Sequence, residues 1–193
     1  MAGHGVCPWW VGYLLASPLR RLQYDPAALL APHVRTDMTV LEPGPGMGFF
    51  TLELARRVGP SGRVVAIDIQ PRMIERLKRR AAKAGLLERV DARLARPDRL
   101  DIGDLSNAVD FAFVFAVVHE MPSANAFFAE AAHALKPGAL LLLVEPAGHV
   151  DQPDFAGELD AAASAGFAVA DRPSIRRSLA ALLQRTEGRG RAM

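Results

Sequence analysis

Apolar residues fall along this chain in two alternating patterns. Short runs with few polar interruptions lie at 38–42, 63–69, 110–118 and 139–145, with a weaker one at 90–95. Between them, apolar positions recur every three or four residues, as on one face of a helix. Phe50, Leu54 and Val58 mark a helix over 49–58. Met73, Ile74, Leu77 and Ala81 mark another over 72–84, and its Arg76, Arg79, Arg80 and Lys83 read as a solvated face. A third begins at the Ser123 cap and runs to Leu135, where Lys136-Pro137-Gly138 stops it; a fourth covers 154–165. Asp25-Pro26 opens an earlier helix, and 167–170 with a piece of 175–183 supply two last strands. Continuous apolar strands alternating with helices are buried on both faces. The predicted fold is therefore α/β, a doubly wound, mostly parallel sheet of seven strands with helices on both faces.

Composition narrows the class without changing it. The chain has 193 residues, half of them hydrophobic, which is enough for a full core. A formal charge of +2 is too balanced to argue for a nucleic-acid partner. One cysteine, Cys7, cannot form an internal disulfide, which fits a reducing, cytoplasmic setting. No apolar run reaches the roughly 18–20 residues of a spanning helix. Trp9, Trp10 and Tyr13 cluster near the N-terminus, ahead of Arg20 and Arg21. They read as part of a lid over residues 1–35, with weak membrane-surface contact as the lesser reading. The tail 186–193 reads as disordered.

Ligands of such sheets bind outside the carboxyl ends of the strands. After the first strand comes Glu42-Pro43-Gly44-Pro45-Gly46-Met47-Gly48. Glycine allows positive φ and leaves no Cβ between backbone and ligand. A structural turn needs one such residue, not three at every second position. The spacing differs from the dinucleotide fingerprint G-x-G-x-x-G, whose last glycine would fall on Phe49. Pro45 also offers no backbone donor to a pyrophosphate. Twenty residues beyond Gly48 stands Asp68, where a carboxylate can accept from a ribose diol; a helix cap is its plainer reading.

These residues resemble the class I S-adenosylmethionine-dependent methyltransferases. The E-x-G-x-G-x-G loop is similar to that family's first motif and 64–73 to its second. The segments 110–120, 135–138 and 140–146 are similar to the surroundings of its fourth and fifth strands. The resemblance runs from about 36 to 148 and implies a Rossmann-like methyltransferase domain over 36–185, with S-adenosylmethionine as cofactor and S-adenosylhomocysteine as product. It implies that Glu42 holds the methionine ammonium and that Gly44, Gly46 and Gly48 line the methionine and ribose portions. Asp68 would take the ribose hydroxyls, Ile69 would lie against the adenine, and Phe115 and Ala116 would offer backbone carbonyls. Where many relatives carry an acid after the third strand, this chain has Ala95-Arg96. There either Asp98 substitutes or backbone groups alone read the adenine.

A sulfonium methyl needs little activation, so positioning and water exclusion dominate, with a base where the acceptor must lose a proton. His119 follows the fourth strand and can serve as that base, with Glu120 orienting it. Its plainer reading is a polar strand end. Trp9, Trp10 and Tyr13 are candidates for the acceptor pocket. No metal site is expected: His4 and Cys7 are too few for a closed zinc site, and nothing motivates a metal shared by His133 and His149. The function expected is methyl transfer to a small-molecule acceptor rather than to nucleic acid. The rival readings are a non-catalytic cofactor-binding accessory protein and a nicotinamide-dependent oxidoreductase.

Overall fold

The computed structural model describes residues 23–186, in two compact units that divide between Pro97 and Asp98. The expectations for Trp9, Trp10, Tyr13, His4, Cys7 and the tail beyond Thr186 lie outside the described residues.

In the first unit, α1 (Pro26–Leu30) starts where Asp25 accepts from the amides of Ala27 and Ala28. Then follow β1 (Thr39–Pro43), α2 (Thr51–Arg57), β2 (Arg63–Asp68), α3 (Pro71–Lys83) and β3 (Val90–Leu94). β2 pairs in parallel with β1 on one side, Glu42 opposite Ala66, and with β3 on the other, Asp68 opposite Leu94. Val40, Leu41, Val64 and Val65 are fully buried, as are Leu54 of α2 and Leu77 of α3. Met73, Ile74, Leu77 and Ala81 form the buried stripe of α3, as their spacing predicts.

The second unit holds β4 (Val109–Phe115), α4 (Ala124–Ala134), β5 (Leu135–Pro146), α5 (Gln152–Ser164), β6 (Phe167–Asp171) and β7 (Ser178–Arg185). β5 runs parallel to β4, whereas β7 lies antiparallel between β5 and β6. Phe111, Phe113, Phe128, Leu141 and Leu142 are the bulk of its core. The strand order is β3-β2-β1 in the first unit and β4-β5-β7-β6 in the second, so the seven strands are mostly parallel, with β7 reversed.

Two boundaries differ from the pattern in the sequence. The apolar run 110–118 does not stay extended: β4 ends at Phe115, Ala116 takes φ +54°, and Val118–Glu120 forms a short 3-10 turn. The segment Lys136-Pro137-Gly138 ends α4 as expected, but the chain passes directly into β5 at Leu135. A register shift between Val109 and Phe111 absorbs this early start, as a bulge does. No helix among the described residues is long and apolar enough to cross a membrane.

Gly62, just ahead of β2, shows how tightly the first unit is knit. A Cβ there would fall within 3.0 Å of the carbonyl oxygens of Val58 and Met38. Backbone cannot yield as a side chain can, so Gly62→Ala is expected to destabilise by about 1–3 kcal/mol. Gly85→Ala tests conformation alone, because no atom lies within 4 Å of its Cβ position. Urea unfolding of the two variants checks the contrast; a midpoint unchanged by Gly62→Ala contradicts it.

Candidate functional site

The carboxyl end of β1 runs into the glycine loop. Gly44, Gly46 and Gly48 all adopt positive φ, at +68°, +54° and +82°. The loop is pinned by Gly44 N donating to Ile67 O at 2.8 Å and Gly48 N to Pro45 O at 2.9 Å. The Arg80 guanidinium, from α3, donates to Met47 O. Gly48 also has a packing reason, since its Cβ would lie 2.5 Å from Leu77 Cδ1. At Gly46 there is none: nothing lies within 4 Å of where its Cβ would be. Backbone there faces open space, and a side chain would occupy that space.

Glu42 closes β1 at only 3% exposure. Its Oε2 has no hydrogen-bond partner, and neither does Thr51 Oγ1. Burial pushes the Glu42 carboxyl up to about 8; the nearby Thr51 hydroxyl acts against that shift, and the charge of Asp68 adds to it. A buried carboxyl with a bare oxygen is costly unless something satisfies it. Asp68, also buried, ends β2; its Oδ1 accepts from Gln70 N at 2.8 Å. The cap position of α3 is Gln70, so Asp68 is not the helix cap of its plainer reading but accepts from the amide of the residue that is. The Asp68 backbone carbonyl accepts from Ala95 N at 3.1 Å, so the Ala95 amide is committed and only its carbonyl can meet a ligand. Ile69 is half-buried and Arg96 exposed. Asp98 pairs with Arg99 at 3.4 Å.

A second constellation belongs to the other unit. The ladder continues one residue past β4, with Ala116 N donating to Val144 O at 2.8 Å. The positive φ of Ala116 then swings the chain so that two amides converge on Glu145, at the far end of β5. Val118 N donates to Glu145 Oε1 at 2.8 Å and Val117 N at 3.3 Å. The other oxygen, Oε2, lies 2.6 Å from His119 Nδ1. Phe115 keeps its ring in the core, 5.9 Å from that of Phe113, so only its backbone stands at the strand end. The His149 ring meets His119 edge-on, with centroids 5.9 Å apart.

The hydrogen bond at His119 Nδ1 is to the β5 carboxylate of Glu145, while Glu120, the partner expected from the sequence, follows His119 within the same tight turn. Burial alone would lower the His119 pKa, but the Glu145 hydrogen bond and the charges of Glu145, Glu120 and Glu158 raise it above 6.5. Glu145 had a signal in the sequence: an acid closing the apolar run of β5, just as Glu42 closes β1. Glu158 was less visible, being one acid among several in a helix. Among the described residues, no group of three or more His, Cys, Asp or Glu is placed to hold a metal ion.

Residues 40–138, just over half of the chain, match a family model described as a methyltransferase domain. The chain is 31% identical over 116 residues to the arsenite methyltransferase of Halobacterium salinarum, covering 60% of this chain and 29% of that protein. It is 29% identical over 112 residues to the ubiquinone/menaquinone biosynthesis C-methyltransferase UbiE of Hydrogenovibrio crunogenus, covering 58% of this chain and 43% of that one. It thus spans less than half the length of these curated relatives. Among solved structures, a SAM dependent methyltransferase from Aquifex aeolicus superposes with a TM-score of 0.82 at 25% identity, covering 93% of this chain and 98% of that one. The matched family model, the strand order and the acid-and-glycine loop agree, and the chain belongs to the S-adenosylmethionine-dependent class I methyltransferase family.

Proposed function

We propose that this protein transfers a methyl group from S-adenosylmethionine to a small-molecule acceptor that gives up a proton. The observation that carries the reading is Glu42: a sealed carboxyl with a bare oxygen, beside a loop whose Gly46 faces open space. That pair of features fits an amino acid with a free ammonium.

When bound, S-adenosylmethionine supplies an electrophilic methyl on a sulfonium sulfur. Glu42 would accept from its ammonium, which satisfies the orphaned oxygen and ionises the carboxyl. Gly44, Gly46 and Gly48 let the backbone approach the methionine and ribose portions without a side chain intervening. Asp68, already fixed through Gln70 N, would accept from the ribose hydroxyls. Ile69 and the Ala95 carbonyl would meet the adenine, with the Arg96 guanidinium outside. Phe115 and Ala116 would contribute backbone carbonyls at the end of β4. Residues 1–35, with Trp9, Trp10 and Tyr13, would cover the acceptor.

His119 is the base. With Nδ1–H donating to Glu145, the neutral ring presents Nε2 as its acceptor. A proton taken there makes an imidazolium that the Glu145 carboxylate stabilises in place. A small acceptor is supported by the names of the relatives, which act on arsenite and in quinone biosynthesis.

Three outcomes are expected. First, Glu42 holds its proton at pH 7, given a carboxyl pushed up to about 8. Binding of S-adenosylmethionine should then release nearly one proton, seen as a calorimetric enthalpy that varies with buffer ionisation heat. Glu42→Gln should abolish that variation and weaken binding at least tenfold, about 1.4 kcal/mol. Buffer-independent heats with unchanged affinity would defeat the assignment. Second, His119→Gln should leave donor affinity intact and slow turnover by about 10²–10⁴-fold in a screen of acceptors. Unchanged turnover removes the base role, and donor binding with no methyl release for any acceptor favours an accessory protein. Third, only neutral His119 can act, and its pKa is raised above 6.5. Activity should therefore be lost as pH falls through that titration and recover above it; a flat profile from pH 6 to 8 counts against this.

A further inference from the structure

The polar side of α3 does not behave as one solvated face. Its spacing groups Arg76, Arg79, Arg80 and Lys83 together, and three of them, Arg76, Arg79 and Lys83, are exposed. Arg80 is half-buried instead, and its guanidinium donates to Met47 O, 33 residues earlier in the chain. Long helical side chains lean back toward the N-terminus of their helix, which carries Arg80 over the turn that holds Leu77. No acid offsets the burial, which pulls the guanidinium below its ordinary value. For folding alone, an apolar side chain extending the stripe from Leu77 would fill this place without withdrawing a charge from water.

The carbonyl that receives Arg80 belongs to the glycine loop. Gly48 N donates to Pro45 O at 2.9 Å, which closes a turn with Gly46 and Met47 at its centre. The peptide joining Met47 to Gly48 is trans, so its C=O and N–H point in opposite directions. The C=O goes to Arg80 and the N–H to Pro45, and one peptide plane is thus held at both ends. Leu77 lies one helical turn before Arg80 on the same row of α3. Its Cδ1 would be 2.5 Å from a Cβ at Gly48. The helix therefore meets the turn with one packing contact and one charged donor. The Met47 side chain is buried on the protein side, whereas Gly46 has nothing within 4 Å of its Cβ position.

We propose that Arg80 is a positioning residue of the donor site: its guanidinium holds the Met47–Gly48 peptide so that the backbone at Gly46 is set for S-adenosylmethionine before the donor arrives. The inference rests on the reading of the glycine loop as the donor site. Glycine loses more conformational freedom on ordering than any other residue, and this loop has three. A donor that met a loose loop would have to order it, at a cost in affinity; a loop already held removes that cost. The contact lies wholly within the first unit and involves none of the groups around His119.

The test compares two variants of the full chain. Arg80→Met keeps a long stem and loses the donor, and Arg80→Lys keeps one charged donor. In calorimetric titration with S-adenosylmethionine, Arg80→Met should bind on the order of tenfold more weakly, and Arg80→Lys should recover most of that loss. A residue serving stability alone would lower the melting temperature of the ligand-free protein and leave the affinity of the folded protein as it was; that result for Arg80→Met overturns the proposal. Amide hydrogen exchange on the wild type covers the case in which Arg80→Met fails to fold. The Gly48 amide should be protected before any donor is added, and a Gly48 amide that exchanges freely until S-adenosylmethionine binds overturns the proposal with no variant needed. Failure of the donor-site reading looks different: the wild type itself gives no heat with S-adenosylmethionine, which removes the inference as well. Normal wild-type heat with unchanged affinity in Arg80→Met removes the inference alone.

Discussion

Glu145 gives up all contact with water, and what it receives in return organises the end of the second unit. Two backbone amides and one imidazole nitrogen converge on its two oxygens. A carboxylate buried without such donors would be prohibitive, while hydrogen bonds to a charged group contribute about 1.5–3 kcal/mol each. The same contacts explain why β4 stops where it does. Val117 and Val118 have the side chains of a strand, yet their N–H groups leave the ladder for this carboxylate. The ring of His119 is then carried into place by the turn it sits on. Backbone geometry and side-chain chemistry are two consequences of one buried charge.

The glycine loop separates similarly into what the fold needs and what it does not. Gly48 is required by Leu77, and Gly44 is tied to Ile67. Gly46 has a conformational reason to be glycine, its φ of +54°, but no neighbour that a side chain would meet. Glu42 likewise does nothing for the strand that an apolar residue would not do better. Features that cost the folded state and return nothing to it are where binding chemistry is expected.

Most of the strand and helix pattern could be read from apolar spacing, because each element buries one kind of face and few compete for it. The glycine loop and Asp68 were legible for the same reason: they punctuate the pattern at strand ends. The partner of His119 was not. Glu120 is adjacent in sequence, but Glu145 is reached only when β4 and β5 lie side by side, and no local spacing encodes that pairing. Glu158 was hidden further, since an acid in a helix reads as solvent-facing until the buried stripe is known. The early start of β5 escaped because Pro137 and Gly138 are read as stops, whereas a bulge lets the strand carry them.

The reversed strand has a consequence for how the molecule is made. β7 is the last described strand in the chain, yet it lies inside the sheet, with β5 on one side and β6 on the other. During synthesis β6 emerges earlier and has no neighbour to pair with until β7 arrives to bridge it. Val169, 46% exposed even in the finished fold, lies on that waiting edge. Pairing of β6 therefore waits for Ser178–Arg185, and until that segment is made the backbone N–H and C=O groups of β6 have no strand to meet.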